Sequence, residues 1–117
     1  MTGQARYVIL EHASARGLHW DLMLESGPAL RTWALSEAPA AGRPVAAARL
    51  VDHRLAYLDH QGPVSGDRGS VARWDEGTYE LVAETPVELE LQFAGRRLQG
   101  RAALRQVAKE AWEFLLR

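Results

Sequence analysis

The chain has 117 residues and a formal net charge of −1, with 47% hydrophobic and 25% charged residues. This balance is typical of a globular protein, and the length predicts one domain over residues 1–117. The nearly neutral charge excludes a strongly basic nucleic-acid binder, so any contact with nucleic acid should involve few phosphates. Because the sequence has no cysteine, disulfides and thiolate metal sites are also excluded.

No apolar run in the sequence is long enough to cross a bilayer. The start of the chain lacks the charged-then-apolar pattern of an export signal, and the lack of cysteine is compatible with a reducing cytosol. We therefore expect a cytoplasmic protein without membrane association, and we expect it to be a monomer.

Short apolar runs separated by Gly, Pro, Asp and Ser predict a series of small β-strands. Tyr7–Glu11 is expected to be the first. Leu18–Glu25 follows and alternates strictly, with apolar residues on one face and mostly polar residues on the other. A turn at Ser26–Pro28 then leads into Leu30–Leu35, so these two strands are predicted to form a hairpin.

Further strands are expected in the rest of the chain, after a loop at Ala38–Ala48. They are Arg49–His53, Gly69–Trp74, Thr78–Ala83, Val87–Phe93 and Leu98–Arg105. Hairpin turns are expected at Glu76–Gly77 and Ala94–Gly95. We interpret Trp20, Trp33 and Trp74 as core or wall residues rather than as platforms for base stacking.

The segment Ala102–Leu116 is ambiguous. Its composition favours a helix, whereas the alternative is two strands, Gly100–Val107 and Trp112–Leu116, joined by a turn. An antiparallel barrel closes many short strands without exposed edges. The predicted fold is therefore all-β, a compact antiparallel β-barrel with little helix.

Three side chains near the first two strands form a candidate site for a divalent cation. His19 and Asp21 are two residues apart on a predicted strand, so they leave it on the same face, and His12 lies at the end of the preceding strand. Two imidazoles and a carboxylate with open positions favour a catalytic Mn²⁺, Fe²⁺ or Zn²⁺ site. The spacing alone is weak support, since such residues on an outward face are more often solvated. His53 is a further candidate near the site, whereas His60 is interpreted as a surface histidine.

Four motifs resemble those of the 3′-phosphoesterase domain family of bacterial ATP-dependent DNA ligase D. Tyr7–Glu25, YVILEHASARGLHWDLMLE, resembles the family's FVIQEHxAxxLHYDLRLE. Further along, LRTWALSEAP at Leu30–Pro39 resembles LKSWAVPKGP, VDHRLAY at Val51–Tyr57 resembles VEDHPLDY, and VARWDEGTYE at Val71–Glu80 resembles VIVWDRGTWE. The C-terminal LQGRAALRQV and AWEFLLR resemble a pair of strands in the family, which favours the two-strand alternative.

The resemblance implies a β-barrel that removes 3′-phosphates and 3′-terminal ribonucleotides from DNA ends with Mn²⁺. It implies that His12, His19 and Asp21 are the metal ligands and that His53 and Tyr57 are catalytic. It also implies nucleic-acid 3′ ends as substrate, and a ligase, a polymerase or an end-binding repair protein as partner.

Several charged positions of the family motifs differ in this chain. Met23 stands where the motif has an arginine that contacts the scissile phosphate, and Glu37 stands where it has a lysine. Val51 replaces the glutamate of VEDH, and Val45 stands at the place of an upstream arginine. The resemblance thus retains the cation site while most of the phosphate clamp is missing.

Arg49 is the candidate replacement, because it shares the strand parity of His53 and is expected to point into the same pocket. Other arginines are interpreted as solvated surface residues: Arg16, Arg54 and Arg68. The Gly-rich segment Ser65–Gly69 is more simply a turn than a phosphate cradle.

Three functions fit these observations. The first is a divergent metal-dependent phosphoesterase, and the second is a module that keeps the metal but binds a nucleic-acid end or a partner protein without cleavage. A third, a different metalloenzyme such as a cupin-like oxygenase, explains the ligands but not the motifs outside the site. The altered clamp argues against the usual chemistry of the family, whereas the presence of both His53 and Tyr57 favours catalysis.

Overall fold

β-Strands make up most of the structure, which is a computed structural model that describes residues 4–64, 66 and 68–117. The strands within these residues are β1 (Ala5–Ser14), β2 (Gly17–Ser26), β3 (Ala29–Leu35), β4 (Val45–Arg54), β5 (Gly62–Pro63), β6 (Ser70–Thr85), β7 (Glu88–Gly95), β8 (Gln99–Gln106) and β9 (Trp112–Leu116). One 3-10 turn, Leu55–Leu58, lies between β4 and β5. In this part of the chain no helix is long and apolar enough to span a membrane.

All pairings between these strands are antiparallel, and they run in the order β1-β2-β3-β4-β9-β8-β7-β6-β5. β1 also pairs with β6, so the strands from β1 to β6 in this order form a ring, and β5 is attached outside it. The predicted all-β antiparallel fold is confirmed. The C-terminal segment forms strands, as the family resemblance favoured, because β8 and β9 pair from Ala102 opposite Leu116 to Gln106 opposite Trp112.

The predicted turn at Ala94–Gly95 falls on the last residues of β7, directly before the turn to β8, whereas the predicted turn at Glu76–Gly77 is wrong. Glu76 and Gly77 lie inside β6, a single strand that pairs with β1 through its first half and with β7 through its second. A Cβ at Gly77 would lie 2.4 Å from the carbonyl oxygen of Ala94. Glycine is therefore required here for the close approach of β7, not for a change of chain direction.

The interior of the ring holds the larger of two apolar clusters. Alternate residues of every long strand point into it, among them Ile9, Leu22, Trp33 and Phe114. Burial of each such side chain contributes about 1.5–3 kcal/mol. Trp33 is fully buried, and Trp20 and Trp74 are partly buried against this cluster, so their interpretation as core and wall residues is confirmed.

A second cluster lies on the outer face of the ring. It is formed by the other set of alternating residues on β1, β2 and β3, such as Val8, Leu10 and Met23, together with residues that follow β4. The Leu55–Leu58 turn and Val64 cover it. Because β1 and β2 continue beyond this cluster, their next outward-facing residues lie at its edge, and those residues are His12, His19 and Asp21.

A buried polar contact fixes the turn between β7 and β8. The Asp75 carboxylate accepts hydrogen bonds from the Tyr7 hydroxyl at 2.6 Å, from the Arg97 amide at 2.7 Å and from the Leu98 amide at 3.0 Å. Burial, with the Asp75 carboxylate beside it, raises the pKa of Tyr7 well above its usual value, so the hydroxyl remains a protonated donor. Asp75 was not singled out from the sequence as a structural residue.

Removal of this carboxylate should destabilise the fold more than removal of the tyrosine hydroxyl. We expect Asp75→Ala to lower the free energy of unfolding by about 3 kcal/mol, because three donors, two of them buried, lose their acceptor, and Tyr7→Phe by about 1–2 kcal/mol. Urea denaturation measures both. Asp59→Ala, at an exposed ion pair with Arg6, is the control and should cost about 0.5 kcal/mol or less. Equal losses for Asp75→Ala and Asp59→Ala would contradict the role of Asp75.

Candidate metal centre

The register of β1 and β2 brings the predicted ligands together. His12 lies directly opposite His19, and Asp21 is two residues further along β2 on the same face. The Asp21 carboxylate lies between the two imidazoles, with Oδ2 3.1 Å from His12 Nδ1 and Oδ1 3.0 Å from His19 Nε2. One donor atom from each residue can be chosen so that all lie within 4.8 Å of one another.

Asp21 is 3% exposed, so its carboxylate oxygens need partners other than solvent. Its Oδ1 is buried and has no hydrogen-bond partner among the described residues, since His19 Nε2 is close but does not meet the geometry of a hydrogen bond. A buried carboxylate oxygen without a partner is costly unless a cation satisfies it. Two ligand atoms at right angles on one ion, each about 2.1 Å from it, lie about 3.0 Å apart. Each observed separation is close to this value, but His12 faces Oδ2 and His19 faces Oδ1, so the two separations involve different oxygens of the carboxylate.

The second nitrogen of His12 fixes the orientation of its ring. Nε2 lies 2.6 Å from the backbone carbonyl oxygen of Arg68 and must donate a hydrogen to it. A neutral His12 therefore has a lone pair on Nδ1, which faces the Asp21 Oδ2. Two acceptors at this distance repel each other unless a proton or a metal ion lies between them. Metal-bound histidines commonly have this second contact, with the other ring nitrogen donating to a carbonyl.

These three residues form one wall of an open cleft of about 500 Å³. Leu50 and His53 contribute to the cleft from β4, and Arg16 and Arg68 contribute from two turns. A smaller adjoining cavity shares His12, Asp21, His53 and Arg68 and adds Met23 and Tyr57 to the lining. The structure thus brings the predicted ligands and both predicted catalytic residues to one place.

His53 and Tyr57 lie on the side of the cleft formed by the end of β4 and the turn after it. His53 Nδ1 donates to the Val51 carbonyl at 2.9 Å, which leaves Nε2 as the available nitrogen. The Tyr57 ring contacts the His53 ring edge-on, with 5.6 Å between centroids, and contacts the His60 ring at the same distance on another side. His60 lines a separate pocket with Arg54, and its Nε2 contacts the Pro63 carbonyl at 3.0 Å.

The parity argument for Arg49 is wrong. β4 has one extra residue between Leu50 and His53 relative to β3, a β-bulge that reverses the alternation. Arg49 therefore leaves β4 on the opposite face from His53, with its guanidinium 4.5 Å from the centre of the Trp33 ring and 3.3 Å from Asp52. Within the described residues, Arg49 is not brought to the cleft.

Arg16 and Arg68 are the cleft residues that sequence reasoning assigned to the solvated surface. The predicted Gly-rich turn around Arg68 lies partly outside the described residues, which do not include Ser65 and Asp67. A signal for its position exists in Gly69, which has a φ of +89° and whose Cβ would lie 2.0 Å from the Ala13 carbonyl oxygen. Only glycine permits this approach of the loop to the end of β1, and the approach brings the Arg68 carbonyl to His12.

The structure shows the surroundings of the four residues that differ from the charged positions of the family motifs. Met23 is 1% exposed, belongs to the outer cluster and lines the smaller cavity. Glu37 pairs with Arg43 at 2.7 Å. Val51 is exposed at the bulge, and Val45 is buried inside the ring. Where the motif places a phosphate-contacting arginine, the floor of this site is therefore apolar.

Comparison with known proteins agrees with the motifs. A model of the DNA ligase D 3′-phosphoesterase domain matches residues 10–106. This chain belongs to that family. The match extends over strands far from the ligands, which argues against an unrelated cupin-like enzyme that shares only the ligand set.

Similar proteins include three multifunctional LigD proteins of non-homologous end joining. That of Pseudomonas aeruginosa is 34% identical over 110 residues, which cover 86% of this chain and 13% of that protein. That of Mycobacterium tuberculosis is 31% identical over 121 positions, covering 96% and 16%, and that of Mycolicibacterium smegmatis is 33% identical over 125 positions, covering 92% and 16%. This chain therefore spans less than a fifth of each of these relatives.

Gly69→Ala should disturb the ligand set without changing any ligand. We expect the added Cβ to displace the Arg68 carbonyl from His12 Nε2 and to weaken Mn²⁺ binding by about ten- to hundredfold, the usual effect of losing such a contact. Isothermal titration calorimetry measures the Kd. Gly42→Ala is a matched control, because Gly42 also has a positive φ of +75° but its Cβ would meet nothing within 4 Å. Equal Mn²⁺ affinities for the two variants would contradict the proposed support of His12 by this loop.

Proposed function

We propose that this chain is a divalent-metal-dependent phosphoesterase that removes 3′-phosphates or 3′-terminal ribonucleotides from DNA ends during repair. Membership of the DNA ligase D 3′-phosphoesterase family supports the substrate class. One observation of the site carries the proposal: a buried Asp21 carboxylate lies between two imidazoles, and its Oδ1 has no hydrogen-bond partner among the described residues. We also propose that the ring of strands is a filled barrel, as expected from the sequence.

His12, His19 and Asp21 would hold the cation, with His12 using Nδ1 because its Nε2 is bound to the Arg68 carbonyl. Mn²⁺ is the proposed ion, and Zn²⁺ or Fe²⁺ would accept the same donors. When bound, the cation would neutralise charge on a phosphate oxygen as the phosphorus becomes five-coordinate. The three residues leave the remaining coordination positions to water and substrate, which is typical of catalytic sites.

His53 would act through Nε2, since Nδ1 donates to the Val51 carbonyl. In removal of a 3′-phosphate, the bond between phosphorus and the 3′ oxygen breaks, and a water oxygen forms the new bond to phosphorus. The leaving 3′ oxygen needs a proton, and a protonated His53 Nε2 would supply it as a general acid. The attacking water would keep one hydrogen on the released phosphate, and its other proton would restore the protonated His53. The ring of Tyr57 contacts the ring of His53 edge-on, and the Tyr57 hydroxyl would donate a hydrogen bond to a phosphate oxygen.

This chain spans less than a fifth of each LigD relative, so the partners of this chain are proposed here and are not taken from the whole LigD proteins. We propose that the chain acts on 3′ ends in cooperation with a ligase, a polymerase or an end-binding repair protein. The net charge of −1 agrees with a short contact at a strand end, because extended binding to DNA depends on many neutralised phosphates.

A second candidate function is supported by Met23. This residue is buried at the position where the family motif has a phosphate-contacting arginine, so the floor of the site lacks that cation. A protein with the metal ligands but a weakened clamp would bind a 3′ end, or a partner protein, without cleavage.

His19→Ala separates these functions. We expect the purified protein with Mn²⁺ to remove a 3′-phosphate or a 3′-terminal ribonucleotide from a primer-template. Because His19 would be lost as a ligand, the variant should lose at least about a hundredfold in rate. Gel analysis of the labelled primer measures turnover, and calorimetry measures Mn²⁺ binding.

Leu18→Ala, at an exposed residue beside His19, is the control and should retain full activity. Mn²⁺ binding without turnover by the wild type would reject the enzyme and support the binding module. Failure to bind Mn²⁺, Zn²⁺ or Fe²⁺ would reject both functions.

A further inference from the structure

A second pocket lies beside the candidate metal centre and has a volume of about 220 Å³. Its lining residues are Arg54, Ala56, Tyr57, His60, Pro63 and Val64. Tyr57 and Val64 also line the smaller cavity that contains His53, so these two residues lie between that cavity and the second pocket. The proposed reaction gives the second pocket no role.

Two aromatic rings meet nearly at a right angle in this pocket. The centroids of the Tyr57 and His60 rings are 5.6 Å apart, and the ring planes are inclined by 79°. Such a corner can hold a third flat ring that stacks on one of the two rings and meets the edge of the other. Nucleobases bind tyrosine and histidine rings by stacking, and this contact accepts any base because every base has a π-face.

Both rings are already oriented in the structure. Tyr57 lies in the Leu55–Leu58 turn and packs against the outer cluster. His60 Nε2 donates to the Pro63 carbonyl at 3.0 Å, which fixes the second ring. A base that enters the pocket therefore orders few side chains, which lowers the free-energy cost of its binding.

The size and charge of the pocket favour a single base of a nucleotide. Its volume is below the range of about 300–1,000 Å³ that is typical of pockets for drug-sized ligands, so it suits one flat ring system and not a base pair. Among the described residues no carboxylate lines it, and its one residue with a permanent charge is Arg54. The phosphodiester attached to an entering base therefore meets no like charge from the lining residues.

The position of His53 indicates which nucleotide can reach the pocket. In the proposed reaction His53 Nε2 protonates the leaving 3′ oxygen, so the sugar that carries this oxygen lies on the His53 side of the cleft. The His53 ring contacts the Tyr57 ring, and the Tyr57 ring contacts the His60 ring. The base on that sugar therefore has the second pocket as its neighbouring space, beyond the Tyr57 ring.

We propose that Tyr57 and His60 form a subsite for the base of the 3′-terminal nucleotide. The inference deepens the proposed function and rests on it for the class of ligand, a nucleic-acid 3′ end. Because the pocket holds one base, the terminal base is bound unpaired. A contact of this kind depends on stacking and not on many phosphates, which agrees with the net charge of −1.

Binding of single strands with and without a terminal base tests the subsite. The strands end in a 3′-hydroxyl, which is the product of 3′-phosphate removal, so they are not turned over. We expect the Mn²⁺-loaded wild type to bind a complete strand at least about fivefold more tightly than a strand whose 3′-terminal nucleotide is a stable abasic analogue. An abasic nucleotide in the middle of the strand is the control and should leave the Kd unchanged. Fluorescence anisotropy measures each Kd.

Three variants of His60 separate its ring from its hydrogen bond. His60→Ala and His60→Gln should raise the Kd of the complete strand by about fivefold and remove the preference for a terminal base, because neither has a ring. Glutamine can still donate to the Pro63 carbonyl, whereas His60→Phe has a ring without that donor and should keep the preference. Mn²⁺ affinity should not change in any of them, since His60 is not among the candidate ligands.

No binding of either strand by the wild type, or equal binding of both, would overturn the subsite. A preference that survives in His60→Ala, or that is lost in His60→Phe, would overturn it as well. These outcomes differ from failure of the proposed enzyme. Removal of 3′-phosphates without a preference for a terminal base would reject the subsite and leave the enzyme, whereas the preference without turnover would reject the enzyme and leave the subsite.

Discussion

β1 pairs with neighbouring strands on both of its edges, and this pairing positions the interior cluster, the outer cluster and the candidate metal centre. Hydrogen bonds to β2 and β6 fix the backbone of β1, so its alternating side chains have only two directions available. Tyr7 and Ile9 enter the interior of the ring, while Val8 and Leu10 join the outer cluster. The candidate metal centre is the continuation of the outer face, and a register shift of one residue would bury its histidine inside the ring.

The outer cluster explains why a site on the outside of the ring can hold a buried carboxylate. The turn after β4 and the segment around β5 cover Leu10 and Met23, and they keep water from the inner side of Asp21. In such surroundings, interactions between charges are stronger than in water, and an unpaired polar atom is costly. The same packing makes the floor of the site apolar at Met23.

Sequence patterns predicted those parts of the site that depend on local geometry. The spacing of His19 and Asp21 placed them on one face because strand alternation is a property of the chain itself. His12 and His53 were candidates from their places along the predicted strands, and the resemblance added Tyr57. The same reasoning failed for Arg49, because a bulge reverses the alternation of side chains within β4. No glycine or proline in this part of the sequence indicates that bulge. It also failed at Gly77, which looked like a turn but allows two strands to approach closely. Long-range contacts decided both cases.

Arg68 shows why the arrangement of the cleft could not be obtained from single positions. Its contact with His12 uses a backbone carbonyl that any residue would supply. What the sequence must specify for that contact is Gly69, because only a residue without Cβ lets the loop reach Ala13. Orientation of the His12 ring thus depends on the backbone of this loop and on Gly69, not on the side chain of Arg68.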